Sequence, residues 1–122
     1  MKIGRMGEDL ACEYLVRRGH TVIERNWRSG HLEIDIVTLD PEGLHFVEVK
    51  SRVAPAAAAP ETNVGYYKQK KIVEAARRYL HTEKKYLRLT QYEVFFDVFS
   101  VIFEGNDVEV NYFPQAYIPL NI

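Results

Sequence analysis

Three carboxylates and a lysine interrupt two short apolar segments of this chain. The segments cover residues 32–36 (LEIDI) and 46–50 (FVEVK), and each alternates apolar with charged residues, a period-2 pattern typical of β-strands. Carboxylate oxygens bind hard divalent cations, and a lysine beside such an ion stabilises charge on a phosphate. Whether these groups can act together depends on how the two segments pair.

A two-residue turn at Pro41 and Glu42 would fold the segments into a hairpin in which Asp40 lies opposite Gly43. The opposite pairs that follow are Leu39–Leu44, Asp35–Glu48 and Glu33–Lys50. Opposed residues have Cβ atoms about 4.5–5.5 Å apart, so the four charged groups would share one patch. A three-residue turn with a bulge at Gly43 would shift the register by one residue and put the two central carboxylates on opposite faces.

The predicted patch is strongly negative, because its three carboxylates and one ammonium leave a net charge of −2. A Mg²⁺ or Mn²⁺ ion held by Asp35 and Glu48 would relieve the repulsion and lower the pKa of a bound water. Lys50 would orient that water. The alternative is a structural network, in which Glu33 pairs with Lys50 and Asp35 is a hydrogen-bonded polar residue.

The bulk composition predicts one soluble domain over residues 1–122, with 47% hydrophobic and 27% charged residues. Early charges argue against a signal peptide, and no apolar run is long enough to span a membrane. A single cysteine, Cys12, excludes an intramolecular disulfide and favours the cytoplasm. The four histidines lack metal-ligand spacing, which argues against a zinc site; they are His20, His31, His45 and His81.

Charge is unevenly distributed along the chain. All 16 Lys and Arg residues lie at or before Arg88 with 12 of the 17 acids, a net +4, whereas the last 34 residues carry five acids and no base, a net −5. This asymmetry predicts one side that faces a polyanion. The alternative is the uneven surface charge of any small protein.

Hydrophobic periodicity predicts both helices and strands. In chain order, helix is expected over residues 5–18, strand over 20–27, 32–36 and 46–50, helix over 66–85, and strand over 92–103 and 108–113. Residues 53–64 form a predicted mobile loop, and residues 114–122 a tail that packs back on the body or on a partner. Glu8 falls on the buried side of the first helix, where it either reaches the charged patch or favours the helix dipole.

The same periodicity predicts the character of one face of the charged strands and of one side of the second helix. The face of the charged strands opposite the patch is apolar and is expected to pack on helices; its residues are Leu32, Ile34, Ile36, Val47 and Val49. On the second helix, two basic rows repeat at seven residues: Lys70, Arg77 and Lys84, and Lys71, Arg78 and Lys85. These rows either contact a nucleic acid or form a solvated face.

A longer set of residues surrounds the charged patch at recognisable spacing. It comprises Gly7-Glu8, Leu10-Ala11, Tyr14-Leu15, Asn26-Trp27-Arg28, Glu33-x-Asp35, residues 46–52 (FVEVKSR), Lys68-Gln69, Ala76, Tyr79-Leu80 and Phe96-Asp97-Val98. This set resembles the YraN-like family, an uncharacterised bacterial family placed with the restriction-endonuclease-like PD-(D/E)xK nucleases. The chain departs from the family pattern at Leu32 and Phe95, where glycine and arginine are frequent, and Ile34 replaces the proline of the superfamily motif, a substitution common in its relaxed forms.

The resemblance implies an α/β fold: a restriction-endonuclease-like core with a mixed four- to five-stranded sheet flanked by helices, in the order α-β-β-β-α-β. It also implies that Asp35, Glu48 and the Val49 carbonyl bind Mg²⁺ or Mn²⁺, while Lys50 positions the water and Glu8 approaches from the first helix. Supporting residues are expected at Glu33, Arg52 and Gln69, and contacts to nucleic acid at Arg28, Lys68, Lys70, Lys71, Arg77 and Arg78.

The predicted function is that of a Mg²⁺- or Mn²⁺-dependent nuclease-like domain that hydrolyses phosphodiester bonds in DNA, branched or repair-type DNA included. Phosphate contacts would make binding salt-dependent and largely independent of sequence. Trp27, Tyr66 and Tyr67 either stack on bases or belong to the core. The alternative is a non-catalytic nucleic-acid-binding or protein-interaction module on the same fold, and a homodimer is left open.

Overall fold

The alternating segments build one five-stranded sheet with a helix on each face. The computed structural model describes residues 3–54, 64–82 and 91–118. Its elements in chain order are α1 (Ile3–Arg17), β1 (Thr21–Ser29), β2 (Leu32–Asp40), β3 (Gly43–Val53), α2 (Tyr66–Thr82), β4 (Val94–Glu104) and β5 (Asp107–Tyr117).

The strands lie in the sheet in the order in which they occur in the chain. β3 and β4 are parallel, and the other neighbouring pairs are antiparallel. The parallel pair requires a crossover connection, and this connection contains α2. The predicted mixed sheet and the predicted order of elements are therefore confirmed.

The C-terminal region differs from the prediction. β5 runs to Tyr117, which pairs with Phe96, so the assignment of residues 114–117 to a tail was wrong. An edge strand tolerates a proline such as Pro114, because one side of the strand needs no ladder hydrogen bonds. Residues 55–63 of the predicted loop, residues 83–85 of the predicted helix and residues 119–122 lie outside the described parts of the chain.

α1 lies against β3 at a glycine. Ala11 and Leu15 are fully buried and pack with Val47 and other sheet residues. A Cβ atom at Gly7 would lie only 1.9 Å from Ser51 Oγ and 3.2 Å from Ser51 Cβ, so a larger residue would require Ser51 or the helix to shift. This close approach holds the next residue, Glu8, half-buried against the sheet, as its place on the helix predicted.

α2 covers the opposite face of the sheet. Its buried residues Ala75, Ala76 and Tyr79 pack with Phe46 and neighbouring apolar residues of the sheet. Trp27 of β1 contacts Tyr79 edge-to-face, with ring centroids 5.4 Å apart. Trp27 therefore belongs to the core, which was the second of the two expectations for this residue.

The β2–β3 hairpin has the predicted register, with Asp40 opposite Gly43 and Ile36 opposite Val47. The Asp40 carboxylate accepts hydrogen bonds from the backbone N–H groups of Glu42 and Gly43, at 3.0 and 3.1 Å, which closes the turn. Gly43 has a φ of 153°, and a Cβ there would lie 2.4 Å from the Glu93 carbonyl oxygen. The last paired residues of the β2–β3 ladder are Ile36 and Val47, so Asp35 and Glu48 lie just beyond this ladder.

One predicted face is wrong. Leu32 and Ile34 pack in the core on the α2 side, whereas Ile36 packs in the core on the α1 side. Trp27, opposite Ile34 on β1, also packs on the α2 side. The change of side coincides with Asn26, whose φ of 51° is left-handed, a conformation that asparagine tolerates. The alternation of side chains between the two faces of β2 therefore breaks at Asp35, the residue between Ile34 and Ile36.

Candidate metal and nucleic-acid site

A cavity of about 200 Å³ lies where β2 and β3 separate, next to the first turns of α2. Its lining residues are Glu33, Ile34, Asp35, Phe46, Val47, Glu48, Val49, Lys68 and Ile72. Three of the predicted carboxylates thus meet in one recess. We call Glu8, Glu33, Asp35 and Glu48 the carboxylate cluster.

Asp35 is the most perturbed carboxylate of this cluster. Burial raises the pKa of Asp35 to about 6, opposed by a hydrogen bond from the Val49 N–H and reinforced by the charges of Glu8, Glu48 and Glu33. The Val49 nitrogen lies 2.9 Å from Asp35 Oδ2. A carboxylate that repels its neighbours and is poorly solvated favours either a proton or a cation.

Glu48 lies at the floor of the cavity, with its side chain only 10% exposed. One oxygen, Oε2, pairs with Lys68 Nζ at 2.6 Å. The other, Oε1, is buried and accepts no hydrogen bond from the residues that the structure describes. A buried carboxylate oxygen without a donor costs free energy, and a cation would satisfy it.

Glu8 and Glu33 each contact an arginine of β1. Glu8 approaches Arg25 at 3.9 Å, and Arg25 is held more closely by Asp9 at 2.8 Å. Glu33 lies opposite Arg28 and pairs with it at 3.4 Å. The expected opposition of Glu33 and Lys50 is not formed, because the β2–β3 ladder ends before it reaches them.

The remaining predicted site residues lie around the cavity. Lys50 and Arg52 are half-buried on β3, and strand alternation puts Lys50 on the same face as Glu48, although it is not part of the described cavity lining. Val49 turns its N–H toward Asp35. The Gln69 side chain donates to the Val64 carbonyl at 2.7 Å, which fixes the start of α2.

The predicted nucleic-acid residues of α2 are exposed beside this cavity. Lys70 lies over the ring of Tyr66 at 5.4 Å. Arg77 and Arg78 approach Glu74 at 3.9 and 3.4 Å, and the exposed positions are Lys68, Lys70, Lys71, Arg77 and Arg78. Tyr66 and Tyr67 at the same helix end are 61% and 78% exposed, which suits stacking rather than a core role.

A second group of metal-ligand residues lies at the closed end of the hairpin. His20, Asp40 and His45 each place one ligand atom within 4.8 Å of the other two. We call these three residues the histidine cluster. Its outer partners are Thr38 and Asp97.

Sequence reasoning missed the histidine cluster because it compared spacing along the chain. His20 precedes β1, whose residue Thr21 pairs with Leu39 next to Asp40, and His45 lies opposite Thr38. The predicted hairpin register contained a signal, since it places two polar residues, Thr38 and His45, opposite each other within apolar segments. Tyr117 was also missed: it is half-buried, and burial, with a further contribution from Glu48, raises its pKa.

Comparison with known proteins identifies the family. Residues 7–101 match the uncharacterised protein family UPF0102. The chain belongs to this family. Similar proteins include UPF0102 proteins of Clostridium perfringens (36% identical, 94% of this chain and 93% of the relative), Syntrophotalea carbinolica (39%, 96% and 92%) and Bacteroides thetaiotaomicron (36%, 97% and 93%).

UPF0102 membership confirms the resemblance to the YraN-like family, and the five-stranded mixed sheet with two helices is consistent with a restriction-endonuclease-like fold. A solved structure of Pyrococcus furiosus SfsA in complex with Ca²⁺ superposes with a TM-score of 0.39 at 17% identity. That match covers 91% of this chain, which spans 62% of the SfsA chain. Among the described residues, no helix is long and apolar enough to cross a membrane.

The residues of the UPF0102 cavity fit a hard divalent cation. The donors are carboxylate oxygens of Asp35 and Glu48, and Glu48 Oε1 is buried without a partner among the described residues. Mg²⁺ and Mn²⁺ sites are built from one or two carboxylates completed by water, so no third carboxylate is required. The cavity has room for such waters.

Proposed function

We propose that this UPF0102 protein is a Mg²⁺- or Mn²⁺-dependent nuclease that hydrolyses phosphodiester bonds in DNA. The observation that supports the proposal most strongly is Glu48 Oε1, which has no partner among the described residues and shares a cavity with Asp35, a carboxylate whose pKa is raised to about 6. Groups arranged at such cost are typical of functional sites.

Asp35 and Glu48 would hold the ion, with the Val49 carbonyl as a further ligand. When bound, the ion would activate a water molecule and neutralise charge on the scissile phosphate. Lys50, on the Glu48 face of β3, would orient the attacking water. Glu8 would accept a hydrogen bond from the water or from a second ligand of the ion.

The proposed role of Lys68 depends on its ion pair with Glu48. Its pKa is raised by the hydrogen bond to Glu48, so it is charged at neutral pH. Lys68 is 62% exposed at the mouth of the cavity, and a cation bound to Glu48 would compete with its ammonium group. Displaced from Glu48, Lys68 would be in position to contact the phosphate that enters.

The DNA backbone would lie along α2 and the β1–β2 end. Arg28 and Arg78 make exposed contacts to Glu33 and Glu74, and pairs of this kind contribute only about 0–1 kcal/mol, so phosphates can replace the acidic partners. Tyr66 and Tyr67 would stack on unpaired bases, which favours branched or frayed DNA over a continuous duplex.

Cleavage of duplex, flap and four-way-junction DNA in Mg²⁺ or Mn²⁺ tests this function. We expect Glu48→Gln and Lys50→Ala to abolish cleavage and the exposed control Glu104→Gln to retain it. Lys50→Ala should still bind DNA, since Lys50 acts on the water. Equal cleavage by Lys50→Ala and the unmodified protein would contradict the assignment.

A non-catalytic nucleic-acid-binding module is the second candidate, and the Lys68–Glu48 pair favours it. At 2.6 Å the Lys68 ammonium group compensates the charge of Glu48 without an ion. Such a module would bind DNA equally well with and without divalent cations and would be indifferent to Lys50→Ala.

A further inference from the structure

We infer that the histidine cluster is a second metal site, which binds a divalent transition-metal ion, zinc foremost, through His20 Nε2, His45 Nε2 and the Asp40 carboxylate. It lies at the closed end of the β2–β3 hairpin. The inference does not depend on the proposed nuclease function.

The three ligand groups converge from the residue before β1, the end of β2 and the start of β3. His45 Nε2 lies 2.8 Å from Asp40 Oδ1, and His20 Nε2 lies 3.5 Å from Asp40 Oδ2. Ligand atoms of a tetrahedral zinc ion, with bonds of about 2.0–2.1 Å, are separated by roughly 3.3 Å. The two distances from Asp40 lie on both sides of that value, and all three ligand atoms lie within 4.8 Å of one another, so side-chain rotations would bring them to the spacing that the ion requires.

The far nitrogen of each imidazole is already oriented. His20 Nδ1 lies 2.7 Å from Thr38 Oγ1, and His45 Nδ1 lies 2.7 Å from Asp97 Oδ2. An ionised carboxylate only accepts, so His45 donates from Nδ1 and turns Nε2 inward. Metal-binding histidines nearly always have such an outer partner on the second nitrogen, and a carboxylate is a common one.

Asp97 is in turn fixed by its own donors. Its side chain is 0% exposed, and it accepts hydrogen bonds from the Tyr112 hydroxyl at 2.5 Å and the Gln115 N–H at 2.8 Å. An immobile outer carboxylate holds the His45 ring in one orientation. The site is therefore organised before any ion arrives.

Electrostatics also favour a dication. Asp40 and Asp97 place two carboxylates beside the two imidazoles in a buried network.

The ligand chemistry separates the two sites. Imidazole nitrogens suit Zn²⁺, Cu²⁺, Ni²⁺ and Fe²⁺, whereas all-oxygen sites suit Mg²⁺ and Mn²⁺. Three protein ligands leave a fourth position for water. A metal here would tie together the start of β1, the end of β2 and the start of β3.

Zinc titration of the metal-free protein, followed by calorimetry, tests the inference. The protein titrated is the Asp35→Asn/Glu48→Gln double variant, so that binding at the carboxylate cluster cannot contribute. We expect one equivalent of Zn²⁺ to bind, and Co²⁺ in its place to give visible absorption bands of a site with nitrogen ligands. Failure of this folded variant to bind Zn²⁺ or Co²⁺ would overturn the inference.

Variants assign the ligands. His20→Ala and His45→Ala should each lose the bound equivalent, whereas the exposed histidines provide matched controls in His31→Ala and His81→Ala. Thr38→Val, which preserves shape but removes the outer acceptor, should weaken zinc binding by about 10–100-fold. Unchanged affinity in both His20→Ala and His45→Ala would place the metal elsewhere and contradict the assignment.

Nitrogen-15 NMR of the imidazoles avoids dependence on the folding of variants. On addition of Zn²⁺, the Nε2 signals of His20 and His45 should shift while those of His31 and His81 stay in place. Shifts confined to His31 or His81 would show a surface site and overturn the inference.

Discussion

Each end of the β2–β3 hairpin carries a cluster of ionisable side chains, and the two clusters differ in how far their hydrogen-bonding groups are satisfied. At the closed end, His45 is hydrogen-bonded to Asp40 and Asp97, and His20 is hydrogen-bonded to Thr38 and lies 3.5 Å from Asp40. At the open end, the strands separate, Glu48 Oε1 has no partner among the described residues, and the pKa of Asp35 is raised.

The difference shows which end stabilises the fold and which end costs stability. A satisfied buried network holds three strands together, and removal of one member leaves the others unpaired. Repelling carboxylates lower the free energy of unfolding and persist where a ligand repays that cost. The open end is therefore the candidate site for chemistry.

The largest expected effect is loss of Asp97. Asp97→Ala should lower the free energy of unfolding by about 3–5 kcal/mol, because His45, Tyr112 and the Gln115 N–H lose a common acceptor. Urea denaturation measures it. Asp107→Ala on exposed β5 is the control and should stay within about 0.5 kcal/mol; equal losses in both would show that the closed end is not the stabilising one.

Asp35→Asn should raise the free energy of unfolding, the opposite of the effect expected for Asp97→Ala. The folded pKa of about 6 lies above the ordinary 3.8, so Asp35 contributes stability below pH 3.8 that is lost as the pH rises through 6. In metal-free buffer the variant should exceed the unmodified protein by up to about 3 kcal/mol at pH 8 and match it near pH 3.5. A variant less stable at pH 8 would contradict the repulsion that distinguishes the open end.

Proton competition gives the next effect. Below about pH 6, Asp35 binds a proton that a metal must displace, so Mn²⁺ affinity should fall about tenfold per pH unit there and level off above pH 7. Calorimetric titration at several pH values measures this. A flat profile from pH 5 to 7 would exclude Asp35 as a ligand.

The smallest expected effect concerns Lys68. Lys68→Met removes an exposed partner of Glu48, so stability should change by no more than about 1 kcal/mol. Mn²⁺ should bind several-fold more tightly, because no ammonium group competes for Glu48. Lys71→Met, on the same helix, is the control, and weaker Mn²⁺ binding in Lys68→Met alone would show that Lys68 supports the site instead.

The sequence predicted the hairpin register because the turn is encoded locally, in Asp40, which accepts from the turn amides, and in Gly43, which avoids the Glu93 carbonyl. It also predicted that Glu8 would face the sheet. The turn depends on residues that are neighbours in the chain, and the orientation of Glu8 depends on the period of the helix.

Features that depend on several strands at once were not predictable. The histidine cluster needs the β1–β2 and β2–β3 registers together. The change of side between Ile34 and Ile36 coincides with the left-handed backbone of Asn26, which no periodicity reports. The approach of Tyr117 to Glu48 required β5 to continue through Pro114.

The central claim is that the open end of the hairpin is the site of a hard divalent cation, and Mn²⁺ titration followed by electron paramagnetic resonance tests it most directly. We predict that the unmodified protein binds Mn²⁺ at neutral pH, that Asp35→Asn and Glu48→Gln lose this binding, and that His45→Ala retains it. Equal Mn²⁺ binding by Glu48→Gln and the unmodified protein would contradict the claim.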